Sequence, residues 1–353
     1  MAQPISPSWQ KFNDLIEFKA LLAPMVGLSH VALRDALRPY FPSEMKTLWA
    51  TEMLNSRRLP DQILGETPET FKSELDYGLY PQILCNEERY IEKAIPKLES
   101  WGASAIDINM GCPVKKALKH NYGVSLMGDT KYAASVVEMV KRHATVPVSV
   151  KLRAGHQNDK SFLLDFCHAL KEAGADWLIL HPRLAAQKRK GVADWEQIKY
   201  LQESIDLPII GNGDIQDHGD ISQMLIETGC QAVMLGRSLT AKPWLITQFA
   251  AQQGHELNEF QQQFLSEDPY LHASYYGEFV KAYVNACFKY FDKKAALKRI
   301  RFFLKVGHVW LNFGHSFTKK LFALETAKEY NDAIDLYMSN SSLKISQRTN
   351  LRY

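Results

Sequence analysis

The stretch ERYIEKAIPKLESWGASAIDIN, residues 88–109, contains the unit that decides the fold. Residues 88–100 carry apolar side chains at helical spacing, which predicts an amphipathic helix. Trp101 and Gly102 follow, and glycine suits a helix C-cap because it adopts the left-handed backbone easily. A strand-like run then begins at residue 105. The stretch therefore predicts one helix–turn–strand unit of an α/β protein.

The same unit recurs along the chain. Strand-like runs are predicted at residues 21–23, 47–51, 81–84, 105–109, 146–152, 177–181, 208–211 and 232–235, and helices at 88–100, 131–143, 161–173 and 221–228. Most of the strand-like runs are nearly continuous apolar stretches, as in a parallel sheet covered by helices. Eight alternations favour a (β/α)₈ TIM barrel. A doubly wound open sheet is the alternative, but the sequence lacks the G-x-G-x-x-G fingerprint after the first strand that would support it.

The pattern changes after residue 252. Residues 252–269 are polar and predict a linker or an exposed helix start, whereas aromatic and basic residues mix at helical spacing from Tyr270 onward. We therefore predict two domains: a TIM-barrel catalytic domain at residues 1–252 and a smaller all-α domain at residues 253–353.

Composition excludes several classes of protein. Hydrophobic residues make up 46% of the chain and aromatic residues 11%, which excludes wholesale disorder. The longest apolar runs are strand-sized and the N-terminus carries charges, so neither a membrane span nor a secretory signal is predicted, and we expect a cytoplasmic protein. The net charge of +3 neither requires nor excludes nucleic acid. The sequence shows no sign of an obligate protein partner.

One of the five cysteines is distinguished by its surroundings. The five form no C-x-x-C pair, so neither a disulfide framework nor a metal site is predicted, and most should be small buried side chains. Cys112 instead lies between Gly111 and Pro113, on a loop directly after a predicted strand. A thiol there could act as a nucleophile or as a proton donor. Proton donation is favoured because the sequence offers no convincing triad partner.

Two glycine-containing segments predict a phosphate site. Residues 211–214 (GNGD) and 235–237 (LGR) follow the seventh and eighth strands, where barrels commonly bind phosphate. Glycine lets backbone N–H groups approach an anion, and Arg237 adds further donors. The alternative is that these glycines only form tight turns.

Lys151 lies near the end of one predicted strand and His181 ends another, and both should reach the barrel mouth. A buried ammonium group needs a partner, which the electron-rich edge of a reduced flavin could supply. The alternative for Lys151 is a salt bridge to Glu52 or Asp214. His181 could bind a cofactor carbonyl or phosphate, or it could have a purely structural role.

Several motifs together resemble the tRNA-dihydrouridine synthases, and they occur in that family's order. They are residues 22–27 (LAPMVG), 51–52 (TE), 81–84 (PQIL), 107–116 (DINMGCPVKK), 149–153 (SVKLR), 193–195 (ADW), 210–214 (IGNGD) and 234–237 (MLGR). One departure is the stretch HPRL at residues 181–184, where the family commonly has His-Gly-Arg-Thr.

The resemblance implies an FMN-dependent barrel that reduces uridine in tRNA to 5,6-dihydrouridine, with NADPH as the usual reductant. It implies a set of cofactor-binding residues, namely Pro24, Met25 and Val26 through their backbone, Gln82, Lys151 and His181 at the flavin ring, and Asn212, Gly213, Asp214, Gly236 and Arg237 at the phosphate. Hydride would pass from flavin N5 to uracil C6, and Cys112 would protonate C5. Asn109 and Arg153 would shape the substrate pocket.

The helical tail predicts an RNA-binding face. Residues 289–320 contain nine basic side chains against a single acid, Asp292. The candidate substrate-binding residues in this segment are Lys294, Lys298, Arg299, Arg301 and Lys305. Four of them fall on one helix face, whereas an apolar stripe of leucine and isoleucine would pack inward. The alternative is an ordinary solvated helix face.

Two other functions remain open at this point. One is a barrel flavoprotein that reduces a free small molecule, and the other is a catalytically silent RNA-binding relative. The basic tail argues against the first, because a small substrate does not need it. Cys112 and Lys151 argue against the second.

Overall fold

Eight parallel strands close into a barrel in the structure, a computed structural model that describes residues 6–340, 342–346, 348 and 349. The strands are β1 (Ala20–Leu22), β2 (Trp49–Asn55), β3 (Leu79–Leu84), β4 (Ile106–Met110), β5 (Val148–Arg153), β6 (Trp177–His181), β7 (Ile209–Asn212) and β8 (Ala232–Leu235). They follow one another around the barrel in chain order, and β8 pairs with β1 through Leu235 and Leu22. The predicted TIM barrel is therefore confirmed.

Helices surround the barrel and form the C-terminal region. They are α1 (Pro7–Leu15), α2 (Val31–Leu37), α3 (Glu88–Trp101), α4 (Lys115–Leu118), α5 (Thr130–His143), α6 (Lys160–Glu172), α7 (Glu196–Ser204), α8 (His218–Thr228), α9 (Leu245–Gln252), α10 (Glu259–Gln262), α11 (Pro269–Tyr290), α12 (Lys293–Gly307), α13 (Gly314–Leu321) and α14 (Ala327–Met338). Gly102 ends α3 in the left-handed conformation with φ 109°, as its position in the sequence predicts.

The strand β2 is longer than predicted. The polar pair Thr51 and Glu52 suggested a strand end, but the strand continues to Asn55. Its pairing with β3 shifts register between Ala50 and Met53. Such an irregularity redirects side chains near active sites, and here it lies at Thr51 and Glu52, close to the barrel mouth.

The N-terminal end of the barrel is filled by packed side chains. Phe12 of α1 lies edge-on against Trp177 of β6, with ring centroids 5.8 Å apart. Leu21, Ile179 and Ile210 are fully buried in the same cluster. Because the barrel interior is packed at this end, a ligand can enter only at the opposite end, where the strands terminate.

The C-terminal helices pack directly on the barrel. Tyr283 of α11 bonds His30, the residue that precedes α2, with Oη and Nε2 3.1 Å apart. An isolated antiparallel bridge joins Leu311 to Ile345, and the described C-terminal region is otherwise helical or irregular. The division into domains at residues 252 and 253 stays a prediction. No helix in the described ranges combines the length and apolar character needed to cross a bilayer.

Candidate functional site

A cleft of about 170 Å³ opens at the carboxyl ends of the strands. Its lining comes from the ends of β1 to β6: Pro24, Val26, Met53, Gln82, Asn109, Gly111, Cys112, Pro113, Lys151, Arg153 and His181. Most of these residues belong to the predicted site. Met53 does not, since the irregularity in β2 that brings it here has no signal in the sequence.

A chain of short hydrogen bonds connects the cleft floor to the cysteine loop. Gln82 donates through Nε2 to Asp107 Oδ2 at 2.6 Å, and its Oε1 accepts from Asn109 Nδ2 at 2.6 Å. Asn109 Oδ1 in turn accepts from the backbone N–H groups of Gly111 at 3.2 Å and Cys112 at 3.0 Å. The orientation of both amides and the position of the loop are therefore set together.

Asp107 was not among the predicted site residues. Its carboxylate is buried and also accepts from Ser149 Oγ at 2.6 Å. Burial raises the pKa of Asp107, and the nearby charge of Lys151 opposes that rise. A single acid inside a fully buried strand is the sequence signal that could have identified it, because a buried carboxylate requires bonded partners.

The Cys112 thiol lies in the cleft lining as a proton donor would. Burial raises the pKa of this thiol, and the charges of Arg153 and Lys151 only partly offset the rise. The group is therefore a neutral thiol at physiological pH. The Cys112 carbonyl accepts from Val124 N–H at 3.2 Å. Gly123 has φ +64° and packs closely against the Cys112 carbonyl. A Cβ at this position would lie 2.5 Å from the Cys112 oxygen, so the close approach requires glycine.

Lys151 forms neither of the salt bridges that the sequence left open. Its Nζ donates to Asn212 Oδ1 at 2.9 Å, and Asn212 Nδ2 donates to the Met234 carbonyl at 2.7 Å. Burial lowers the pKa of the Lys151 ammonium group, whereas the charge of Asp107 raises it. Asn212, predicted at the phosphate end, thus holds the lysine in the cleft.

The two carboxylates considered as partners of Lys151 are engaged elsewhere. Glu52 accepts from the Gly27 N–H at 2.9 Å. Asp214 accepts from Arg183 Nη2 at 2.6 and 2.8 Å, and from the Ala193 N–H at 2.6 Å. Asp214 therefore anchors Arg183, a residue that the predicted cofactor set did not include.

The glycine of the seventh-strand loop is required by close packing. Gly213 has φ +124°, and a Cβ there would lie 2.9 Å from His181 Cδ2 and 2.9 Å from Ala193 Cβ. Gly236, after β8, has more room beside it: the nearest atom to a Cβ at that position would be Met25 Sδ, at 3.5 Å. The backbone at Gly236 can therefore come close to a ligand, whereas the space beside Gly213 is filled by His181 and Ala193.

Several cations converge on His181. Burial lowers the pKa of His181 well below its usual range, and the charges of Lys151, Arg153, Arg183 and Arg237 lower it further. Burial also lowers the pKa of Arg237, to about 10. With Asp214 held by Arg183, this set of donors favours an anionic ligand such as a phosphate or a reduced ring.

Two other predicted residues use their polar groups within the protein. The Met25 N–H donates to Ser29 Oγ at 2.8 Å, and Met25 does not line the cleft. Arg153 donates to the carbonyls of Gly111 at 2.9 Å and Lys188 at 2.9 Å. Arg153 thus joins the cysteine loop to the loop after β6 and shapes the cleft through both.

The predicted basic face is only partly exposed. Lys294, Lys298 and Lys305 are exposed on α12, whereas Arg301 is half-buried. The apolar stripe packs inward as predicted, since Leu297, Ile300 and Leu304 are buried.

Arg299 is placed differently from the rest of its predicted set. Its side chain is 9% exposed, and Nη2 lies 3.4 Å from Glu52 Oε1 and 3.7 Å from Glu69 Oε1. Its guanidinium also lies 4.7 Å from the centroid of the Phe291 ring. The expectation that Arg299 binds RNA is therefore corrected: it joins α12 to the barrel mouth. Helical spacing already sets Arg299 apart, because it is the one member of the set outside the helix face that the other four share.

Comparison with known proteins gives a family and several relatives. The family described as Dihydrouridine synthase (Dus) matches residues 21–332. The chain is 31% identical over 229 residues to a probable tRNA-dihydrouridine synthase of Rhizobium leguminosarum bv. phaseoli, a match that covers 64% of this chain and 70% of that protein. It is 33% identical to a probable tRNA-dihydrouridine synthase of Mycobacterium tuberculosis over 65% of this chain and 61% of that protein.

A longer match extends through the helical region. The tRNA-dihydrouridine synthase B of Vibrio cholerae is 27% identical over 94% of this chain and 98% of that protein. Among solved structures, histamine dehydrogenase from Rhizobium sp. 4-9 superposes with a TM-score of 0.51 and 11% identity, covering 77% of this chain and 49% of that one. That likeness supports the barrel fold alone.

The family match covers both the barrel, with its cleft, and most of the helical region. It confirms the resemblance that the sequence motifs predict, and with it the prediction that the protein is an enzyme. The chain belongs to the dihydrouridine synthase family.

Proposed function

We propose that this protein reduces specific uridines in tRNA to 5,6-dihydrouridine, with FMN as its bound cofactor and NADPH as its reductant. The observation that carries the proposal is a thiol kept neutral by burial, in the same cleft as a buried lysine and a convergent set of cations. The names of the relatives support the tRNA substrate. The cytoplasmic location expected from the sequence stays a prediction.

The residues of the cleft fit FMN. Lys151 and Gln82 would bind the polar edge of the ring, with neutral His181 nearby, and Pro24 and Val26 would line its face. Gly213, Gly236 and Arg237 would hold the phosphate. When bound, FMN supplies the hydride that reaches uracil C6 from N5.

Cys112 would supply the proton to uracil C5. General acid catalysis requires the protonated form, and burial keeps the Cys112 thiol in that form at neutral pH. Asn109 fixes the loop through two backbone N–H groups, so the thiol is positioned before substrate arrives. Because Cys112 lies in the cleft lining, the uridine would have to leave its stack to reach it.

The direct test combines the purified protein with tRNA taken from cells that lack this protein. We expect dihydrouridine to form in that tRNA, and we expect free uridine monophosphate to remain unreduced under the same conditions. Reduction of the free nucleotide at a similar rate would favour the small-molecule flavoprotein instead. A colourless protein that binds no FMN would contradict both enzyme assignments.

The exposed lysines of α12 should bind phosphates. We expect the double variant Lys298→Glu, Lys305→Glu to weaken tRNA binding and to flatten the dependence of log Kd on log salt by about 0.7–0.9 for each phosphate that is no longer bound. The measurement is a titration of tRNA at several salt concentrations. Lys93→Glu provides the control, because Lys93 is an exposed lysine on α3, on the outside of the barrel. Equal salt slopes in the double variant and wild type would contradict the assignment.

Asp107 should act through Gln82 and Asn109 without contacting the substrate. We expect Asp107→Asn to slow uridine reduction by about tenfold or more, because losing a hydrogen bond to a charged group costs about 1.5–3 kcal/mol. The amide would replace an acceptor of the Gln82 N–H with a group that can also donate. Single-turnover kinetics would measure the change, with the melting temperature and FMN affinity as controls. Unchanged turnover in a folded variant would show that the hydrogen-bond chain has no positioning role.

A further inference from the structure

Phe302 is an exposed aromatic residue within the basic face of α12. Its side chain is 39% exposed, whereas that of the adjacent Phe303 is fully buried in the core. Lys298 and Lys305 lie one turn before it and one turn after it, at i−4 and i+3, on the same helix face. The aromatic ring is thus flanked by two exposed ammonium groups.

Phe302 also lies at the edge of the cleft. A Cβ on Gly27 would be 2.9 Å from Phe302 Cδ1 and 3.0 Å from Cε1, so the ring rests on the Gly27 backbone. Val26, the preceding residue, lines the cleft and is 59% exposed. Phe302, on the helical region, and Val26, on the barrel, therefore lie at adjoining positions.

A buried ion pair fixes this arrangement. Glu52 accepts the Gly27 N–H at 2.9 Å and lies 3.4 Å from Arg299 Nη2, one turn before Phe302 on α12. The side chains of Glu52 and Arg299 are 5% and 9% exposed. The helix is thereby attached to the same loop on which the Phe302 ring rests.

We propose that Phe302, together with Val26, forms a stacking surface for the nucleobase next to the uridine that enters the cleft. This inference rests on the proposed function. A base that leaves its stack exposes a face of its neighbour, and an aromatic ring can cover that face without reading its identity. Lys298 and Lys305 would bind the phosphates on either side, which identifies the occupant as a nucleotide of the RNA strand.

The test compares variants that separate stacking from packing and charge. We expect Phe302→Leu and Phe302→Ala to weaken tRNA binding and lower kcat/KM by about tenfold or more, as the removal of one base–aromatic stack does, with the salt slope unchanged. Phe302→Tyr should retain wild-type values. Phe260→Ala is the matched control. Phe260 is 40% exposed and packs on Tyr40, which follows α2 at the end of that helix remote from the cleft.

The outcomes distinguish this inference from the function on which it rests. If wild-type protein forms no dihydrouridine, the proposed function fails. If wild type is active and Phe302→Leu binds and reduces tRNA equally well, only the stacking surface is overturned. An altered salt slope in Phe302→Leu, or a loss in Phe302→Tyr equal to that in Phe302→Leu, would also overturn it. FMN content and melting temperature are measured for each variant.

Discussion

A Cys112→Ala variant is expected to lose dihydrouridine formation by about 10²–10⁴-fold, the usual contribution of a positioned general acid. The variant should keep its fold and its bound FMN, because the loop is held through the backbone at Cys112 by Asn109 and Val124. The measurement is single-turnover reduction of tRNA by the pre-reduced protein. If Cys112→Ala were nearly as active as wild type, Cys112 could not be the general acid.

The pH dependence of the reduction rate provides a second test of the role of Cys112. Burial raises the pKa of the Cys112 thiol, so the active, protonated form persists through neutral pH and is lost only as pH rises through that raised pKa. We expect a falling alkaline limb in the wild-type rate. In Cys112→Ser this limb should disappear, because a serine hydroxyl does not ionise in that range. An identical fall in rate at alkaline pH in both proteins would mean that a group other than Cys112 causes it.

Lys151→Met is expected to have the second-largest effect. Lys151 is a buried cation in the cleft lining, and its bond to Asn212 fixes its direction. Methionine keeps much of its volume but removes the charge. Loss of one hydrogen bond from a charged group corresponds to about 1.5–3 kcal/mol, so FMN affinity should fall by about 10–150-fold. The quenching of flavin fluorescence on titration with apoprotein measures this affinity.

The control for Lys151 is an exposed lysine near the same opening. Lys190 lies on the loop after β6 and is exposed, and its side chain has no place in the cleft lining. Lys190→Met removes the same charge but should leave FMN affinity within about twofold, since long-range charges in water are screened. Similar losses in both variants would mean that the general positive potential matters and that the buried ammonium has no specific role.

The fold and much of the cleft could be predicted from the sequence because both depend on local patterns. Apolar strands separated by amphipathic helices determine a barrel, and residues that follow strands must meet at one end of it. Gln82, Asn109, Cys112 and Lys151 all satisfy that rule, and the structure brings them together.

The parts that escaped prediction depend on contacts between distant segments. Met53 reaches the cleft through a shift in strand register, which no residue pattern specifies. Helical spacing places Arg299 off the basic face of α12, but its partner Glu52 lies on β2, and no local pattern connects the two residues. Phe302 resembles a core residue, and only its exposure in the structure separates it from Phe303.

The buried contact between Arg299 and Glu52 has a consequence for the choice of uridine. It joins α12 and the cleft into one unit, so the span between them is constant. If α12 binds phosphates as proposed, distance then selects the target. Among many chemically identical uridines, the one that is reduced lies at a set distance along the strand from the phosphates bound by α12. Target selection would follow from length and direction along the RNA, with no need to recognise a sequence of bases.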